Sequence, residues 1–145
     1  MVLPVGTQEA FEEALRTVAL ADDALNSAIG GRVYIDIAPS DAPTPYLIIS
    51  WYRWRNENHR TLAPEIDAVA NIRAVVDTDR DGDRLAVRLG DRIEAVFDRC
   101  TLTVENGWGV HWCRQTTRIR IPELVDRRSY NSAGGLYEIG AINAS

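Results

Sequence analysis

The block from Asp22 to Ser50 constrains the fold most. It reads Asp22-Asp23-Ala24-Leu25-Asn26-Ser27-Ala28-Ile29-Gly30-Gly31-Arg32-Val33-Tyr34, then a proline-rich stretch, then Pro45-Tyr46-Leu47-Ile48-Ile49-Ser50. A glycine after an apolar helical pattern ends that helix, because it takes the left-handed C-terminal conformation without a Cβ penalty. Prolines at 39, 43 and 45 fix φ and push the residue before each out of the helical region, so 38–45 is an extended loop. The chain must pass here from helix to a short strand over 32–35, then to a stiff loop, then to a second strand. The block holds no catalytic residue.

Periodicity supplies the other elements. Phe11, Ala14, Leu15, Val18, Ala21, Leu25, Ala28 and Ile29 recur at helical spacing, with Glu9, Glu12, Glu13 and Arg16 on the opposite face. This predicts a helix over 7–29. Asp22 and Asp23 are good N-caps, which favours a break there and a short second helix. Residues 46–55 are apolar on both faces, with Trp51 and Trp54 on opposite sides, as in a central strand. Residues 66–76 alternate cleanly, so they form a strand with one core face. Leu85, Leu89, Ile93, Val96 and Phe97 place a long helix over 83–98. Asn106-Gly107 signals a type I′ hairpin between strands 101–105 and 108–121. Pro122 is expected to end that strand, and 136–142 is a last strand. The predicted order is α-β-β-β-α-β-β-β, an α+β fold with two main helices packed on a mostly antiparallel sheet. Residues 1–145 are expected to form a single domain. Segments 1–6, 56–65 and 122–135 are expected to be flexible.

Composition excludes some functions. The net charge is −5, which opposes phosphate neutralisation and hence nucleic-acid binding. All sixteen basic residues are arginine, suited to planar pairing with carboxylates. Cys100 and Cys113 fit neither a zinc site nor a disulfide scaffold. No apolar run reaches membrane length and no secretory signal precedes the first helix, so synthesis in the cytoplasm is the expectation.

Candidate chemistry fails on specific residues. Asp77-Thr78-Asp79-Arg80-Asp81-Gly82 resembles the start of a calcium loop, but the twelfth position is Arg88 where a bidentate Glu is needed. The alternative is a strand-to-helix turn, with Asp81 or Asp83 capping the helix. His59 and His111 have no orienting partner, and nothing builds an oxyanion hole. No catalytic residue, metal ligand or cofactor is assigned. A 106–107 hairpin would set Leu102 opposite His111, Thr101 opposite Trp112 and Cys100 opposite Cys113, a pairing that permits a disulfide under oxidising conditions. Surfaces are more promising. Arg80, Arg84, Arg88 and Arg92 are spaced by four and would form one charged stripe. Glu9, Glu12 and Glu13 are its candidate acidic partner on a neighbouring subunit. Trp108, expected exposed at a hairpin tip, and Trp112 are candidate interface aromatics.

Several blocks resemble the phage tail-completion, or tail-terminator, family of siphophages and phage-like gene-transfer particles. They are Asp22–Tyr34, Pro45-Tyr46-Leu47-Ile48-Ile49, Arg84-Leu85-Ala86-Val87-Arg88-Leu89, the Arg-rich strand 114–121, and the loop with Asp126 and Arg127 leading into 136–142. The segments around 106–107 and 122–135 look longer than the family's pattern. The resemblance implies a structural, non-enzymatic virion protein of the tail's neck end, assembled in the host cytoplasm. Its implied partners are itself in a ring of usually six subunits, the tail tube protein, and the head-tail connector or stopper protein. DNA would be passing cargo only. The alternative in the same region is a head-completion or stopper ring protein.

Overall fold

The computed structural model describes residues 6–57 and 64–143. Its elements are α1 (Thr7–Ala21), α2 (Asp23–Ile29), β1 (Val33–Ile35), β2 (Tyr46–Glu57), β3 (Glu65–Asp77), α3 (Thr78–Asp81), α4 (Asp83–Phe97), β4 (Trp108–Val125) and β5 (Arg128–Asn143). The α+β class is as predicted: five strands form one sheet in the order β1-β2-β3-β5-β4. Among the described residues only the β1–β2 pair is parallel.

The helices break at Asp22, whose carboxylate accepts the Leu25 N–H at 2.9 Å. Gly30 closes α2 at φ 60°, ψ 35°, the left-handed cap its sequence predicts. Arg32 then holds the proline-rich loop, donating from its guanidinium to the Pro43 carbonyl at 3.0 Å and to that of Pro45 at 2.8 Å. This tether seats β1 beside β2.

The core lies between the helices and one sheet face. Phe11, Leu15, Leu25, Ile29, Ile93 and Phe97 are fully buried from the helices, and Leu47, Ile49, Ile72, Tyr137 and Ile139 from the strands. On β3, Ile66, Ala68, Ala70, Ile72, Ala74 and Val76 face this core, which is the alternation read from sequence. Helix α4 comes close to the sheet at Gly90, where a Cβ would stand 3.1 Å from the Ala133 Cβ.

Four expectations need correction. The hairpin is not at 106–107. Asn106 and Gly107 do take positive φ, 69° and 84°, but Trp108 pairs with Asn143 on β5, and 101–105 is not a strand. Leu102 and Val104 are buried as their alternation suggests. Thr103 and Glu105, however, share a cleft with α1 residues Glu9 and Glu13. An alternating pattern reports a buried face, not a partner strand.

Nor is 122–135 a flexible loop. It carries the end of β4, a tight turn at Asp126-Arg127 and the start of β5. Both turn residues take positive φ, 49° and 65°, as a type I′ turn requires, although neither is glycine. Pro122 sits within β4 opposite Asn131, a position open to proline because β4 is an edge strand.

The third correction concerns the tryptophans of β2. A bulge between Trp51 and Arg53 inserts Tyr52, which is 72% exposed. Trp51 then pairs with Ala70 and Trp54 with Ala68, so both indoles lie on the helix side. Their centroids are 4.7 Å apart. An extra residue inverts every later side chain on a strand.

The last correction is at the acidic turn. Asp77, not Asp81 or Asp83, is the cap: it accepts from the Asp79 and Arg80 N–H groups at 3.1 and 3.3 Å. Gly82 separates α3 from α4 and gives α4 no side-chain cap. Of the other segments expected to be flexible, 1–6 and 56–65 fall largely outside the described residues, as does His59.

Candidate functional site

Apart from Cys100, His111 and Cys113, which line one cleft, the residues that could serve chemistry do not converge among the described residues. His111 is exposed on the β4 bulge. No group of three or more His, Cys, Asp or Glu side chains among the described residues is placed to hold a metal. The Asp77–Gly82 turn is occupied by its own capping bonds. What the structure offers is surface.

The predicted arginine stripe splits in two. Arg80 belongs to α3, and only Arg84, Arg88 and Arg92 lie on α4. Arg92 reaches across the surface to Asp22 in a two-pronged ion pair, its Nε–Oδ2 arm at 2.8 Å. That contact, with the Leu25 N–H, holds the Asp22 carboxyl below the usual carboxylate range. It ties α4 to the α1–α2 junction. Arg84 and Arg88 are exposed, and no ion pair among the described residues reaches them.

The acids of α4 have their own partner. Arg118 of β4 reaches Asp91 at 2.8 Å and Glu94 at 3.0 Å. The Arg118 charge offsets these acids at the surface, apart from Arg84 and Arg88 nearer the start of α4.

On α1, Glu9 and Glu13 are exposed while Glu12 is engaged. The Trp51 indole N–H donates to Glu12 Oε2 at 2.7 Å. Burial, only partly offset by that bond, raises the Glu12 pKa. The sequence placed Glu12 with its neighbours because the bulge that brings Trp51 over α1 has no compositional mark.

The two interface tryptophans part company. Trp108 is not exposed at a tip. It packs edge-on against Phe11, centroids 5.8 Å apart, beside the core. Trp112 is 45% exposed and lies flat on Gly140, where a Cβ would stand 2.3 Å from the indole. The Arg114 guanidinium sits 5.6 Å from its ring centroid, close enough for a cation–π contact.

Sequence reasoning missed one surface. The last β4–β5 pairs, Leu124↔Ser129 and Val125↔Arg128, run past the end of β3. This overhang exposes Leu124 at 76% and Val125 at 49%. Together with the proline-rich loop it walls a cleft of about 330 Å³ lined by Pro39, Tyr46, Glu123 and Tyr130 among others. The signal was present in the alternation of Arg118, Ile119, Arg120 and Ile121, which continues toward Pro122.

A family profile described as Tail completion protein gp17 matches residues 13–123. No curated protein sequence matches the chain. Among solved structures, a chain from the virion of a native gene transfer agent particle superposes with a TM-score of 0.65 at 14% identity, covering 96% of this chain and 99% of that one. A second solved chain gives a TM-score of 0.58 at 19% identity, covering 95% and 94%. At these identities the likeness is one of fold.

Proposed function

The chain belongs to the tail completion protein gp17 family of phage tail structural proteins, and on that premise we propose that it forms the ring that ends the tail tube and joins it to the head connector. The family match over residues 13–123 carries this reading. The gene transfer agent chain that shares the fold along nearly its whole length is compatible with it.

The chemistry fits a structural part. A ring of six subunits, the number the family resemblance implies, would need one surface for its neighbour on each side. Arg84 and Arg88 on α4 are exposed cations with no ion pair among the described residues, and Glu9 and Glu13 on α1 are exposed acids. One copy's α4 against the next copy's α1 repeats the same contact around a closed ring. The ring's two faces would meet different partners, the tail tube protein and the connector or stopper. A net charge of −5 suits DNA that passes without being held, because a basic lumen would bind phosphates. No enzymatic step is assigned.

A nonsense mutation in the gene tests the role directly. Loss of a tube-ending ring gives overlong tails. Tails of normal length with unjoined heads would instead identify a stopper or head-completion ring and overturn the proposal.

A further inference from the structure

We propose that Cys100 is a nucleophilic thiol site for anionic low-molecular-weight disulfides of the glutathione class, with Cys113 as its resolving thiol. The geometry comes from the exit of α4. Asp98 ends the helix and its carboxylate accepts the Gln115 N–H of β4 at 2.9 Å. Arg99 turns at φ 60°, and its N–H donates to the Cys113 carbonyl at 2.7 Å. The Cys100 N–H donates back to the Phe97 carbonyl at 3.2 Å, which also accepts from the Cys113 thiol at 3.5 Å. These bonds pin the backbone on both sides of the pair and bring both cysteines to one cleft. Both are free.

The pair is asymmetric. Both cysteines line an open cleft of about 440 Å³, but Cys100 is half-buried whereas Cys113 is only 2% exposed. A reagent in the cleft therefore meets Cys100 first. The neighbouring Cys113 side chain lowers the Cys100 pKa against the opposing effects of burial and Asp98, while Cys100 and burial push Cys113 up, so the more reachable sulfur is also the more readily ionised of the two. Arg99 and Arg114 also line the cleft. They offer positive charge to a carboxylate-bearing reagent, although Arg114 also pairs with Glu138 at 3.1 Å. No third ligand makes the dithiol a metal site among the described residues.

The reaction balances as two exchanges. The Cys100 thiolate attacks one sulfur of the small disulfide; a protein–reagent S–S bond forms, and one small thiolate leaves with the electron pair. Cys113 then attacks the Cys100 sulfur and gives its proton to solvent or to the leaving group. The second small thiolate departs. Two protein thiols are oxidised to one disulfide, and one small disulfide is reduced to two thiols. The product would join the α4 exit covalently to β4.

The test uses the native full-length chain and oxidised glutathione, read by intact mass and peptide mapping. The expected wild-type product lacks two hydrogens, and a brief exposure traps glutathione on Cys100. Cys113→Ser should stop at the mixed disulfide with one glutathione bound. Cys100→Ser should stay unmodified while folded, with near-UV circular dichroism confirming the fold. Wild-type mapping alone keeps the test decisive if a variant fails to fold. Glutathione trapped first on Cys113, equal labelling of both sites, or a wild-type protein that reacts only after unfolding overturns the proposal.

Discussion

Phe11→Ala is the sharpest probe of how the sheet is held against its helices. Phe11 is fully buried and meets two indoles edge-on, Trp54 at 5.4 Å and Trp108 at 5.8 Å between centroids. It therefore joins α1 to β2 and to the start of β4. Truncating a buried Phe costs about 3–5 kcal/mol through lost transfer energy and the cavity left behind. Two edge-to-face pairs, each worth roughly 0.5–1.5 kcal/mol beyond area, place this site in the upper half of that range. The assay is urea unfolding followed by tryptophan fluorescence, with an unchanged m-value as the sign that only stability moved. For a chain of this size the loss corresponds to a fall in Tm of roughly 10–20 °C. A double-mutant cycle with Trp108→Ala should give a coupling of about 0.5–1.5 kcal/mol. A total loss under about 1 kcal/mol, or zero coupling, would refute the packing and return Trp108 to an exposed turn.

Three further outcomes follow from the same contacts. Asp22→Ala should cost about 0.5–2 kcal/mol by removing the α2 cap, and Asp22→Asn less, since Asn still caps. The Asp22 carboxyl is held below its ordinary value of 3.8 mainly by Arg92. Its contribution is therefore complete above that value and is lost as pH falls through the lower folded value, so wild type and Asp22→Asn should converge in acid unfolding. Gly134→Ala would put a Cβ 2.0 Å from the Ile72 carbonyl oxygen and 2.6 Å from the Arg73 Cα. Backbone cannot yield as a side-chain end does, so the cost should reach at least about 3 kcal/mol, and wild-type stability in urea would contradict the β3–β5 register. Arg88→Glu should weaken self-association several-fold, since an exposed pair is worth up to about 1 kcal/mol per contact. Glu13→Arg should restore it, while Glu12→Arg should not, because Glu12 holds Trp51; unchanged oligomers by light scattering would remove α4 from the interface.

Much of the fold was legible where one local rule acted alone. The Asp22 cap, the Gly30 terminus and the single core face of β3 each follow from residue type and spacing. Errors arose where a tertiary partner decided. Leu102 and Val104 alternate because one side is buried, and only the fold shows that β4 does not pair with them. Asn106-Gly107 is a stronger hairpin signal than Asp126-Arg127, yet the ladder closes at the latter because β5 pairs along the whole of β4. The β2 bulge is one residue without a compositional mark, and it decided the faces of both Trp51 and Trp54. For the candidate surfaces, the sequence named Arg84, Arg88, Glu9, Glu13 and Trp112, which are all exposed. It could not foresee that Arg92 and Glu12 are engaged within the chain, because their partners, Asp22 and Trp51, are distant in sequence. The Leu124–Val125 overhang was hidden behind Pro122, which is usually a strand breaker.

If this chain forms the last ring of a tail tube, electron cryo-microscopy of intact particles will show density for this fold as one ring between the final tube ring and the head connector, with α4 of each copy beside α1 of the next. Density for the chain repeated along the tube, or its absence from the neck, would contradict that placement.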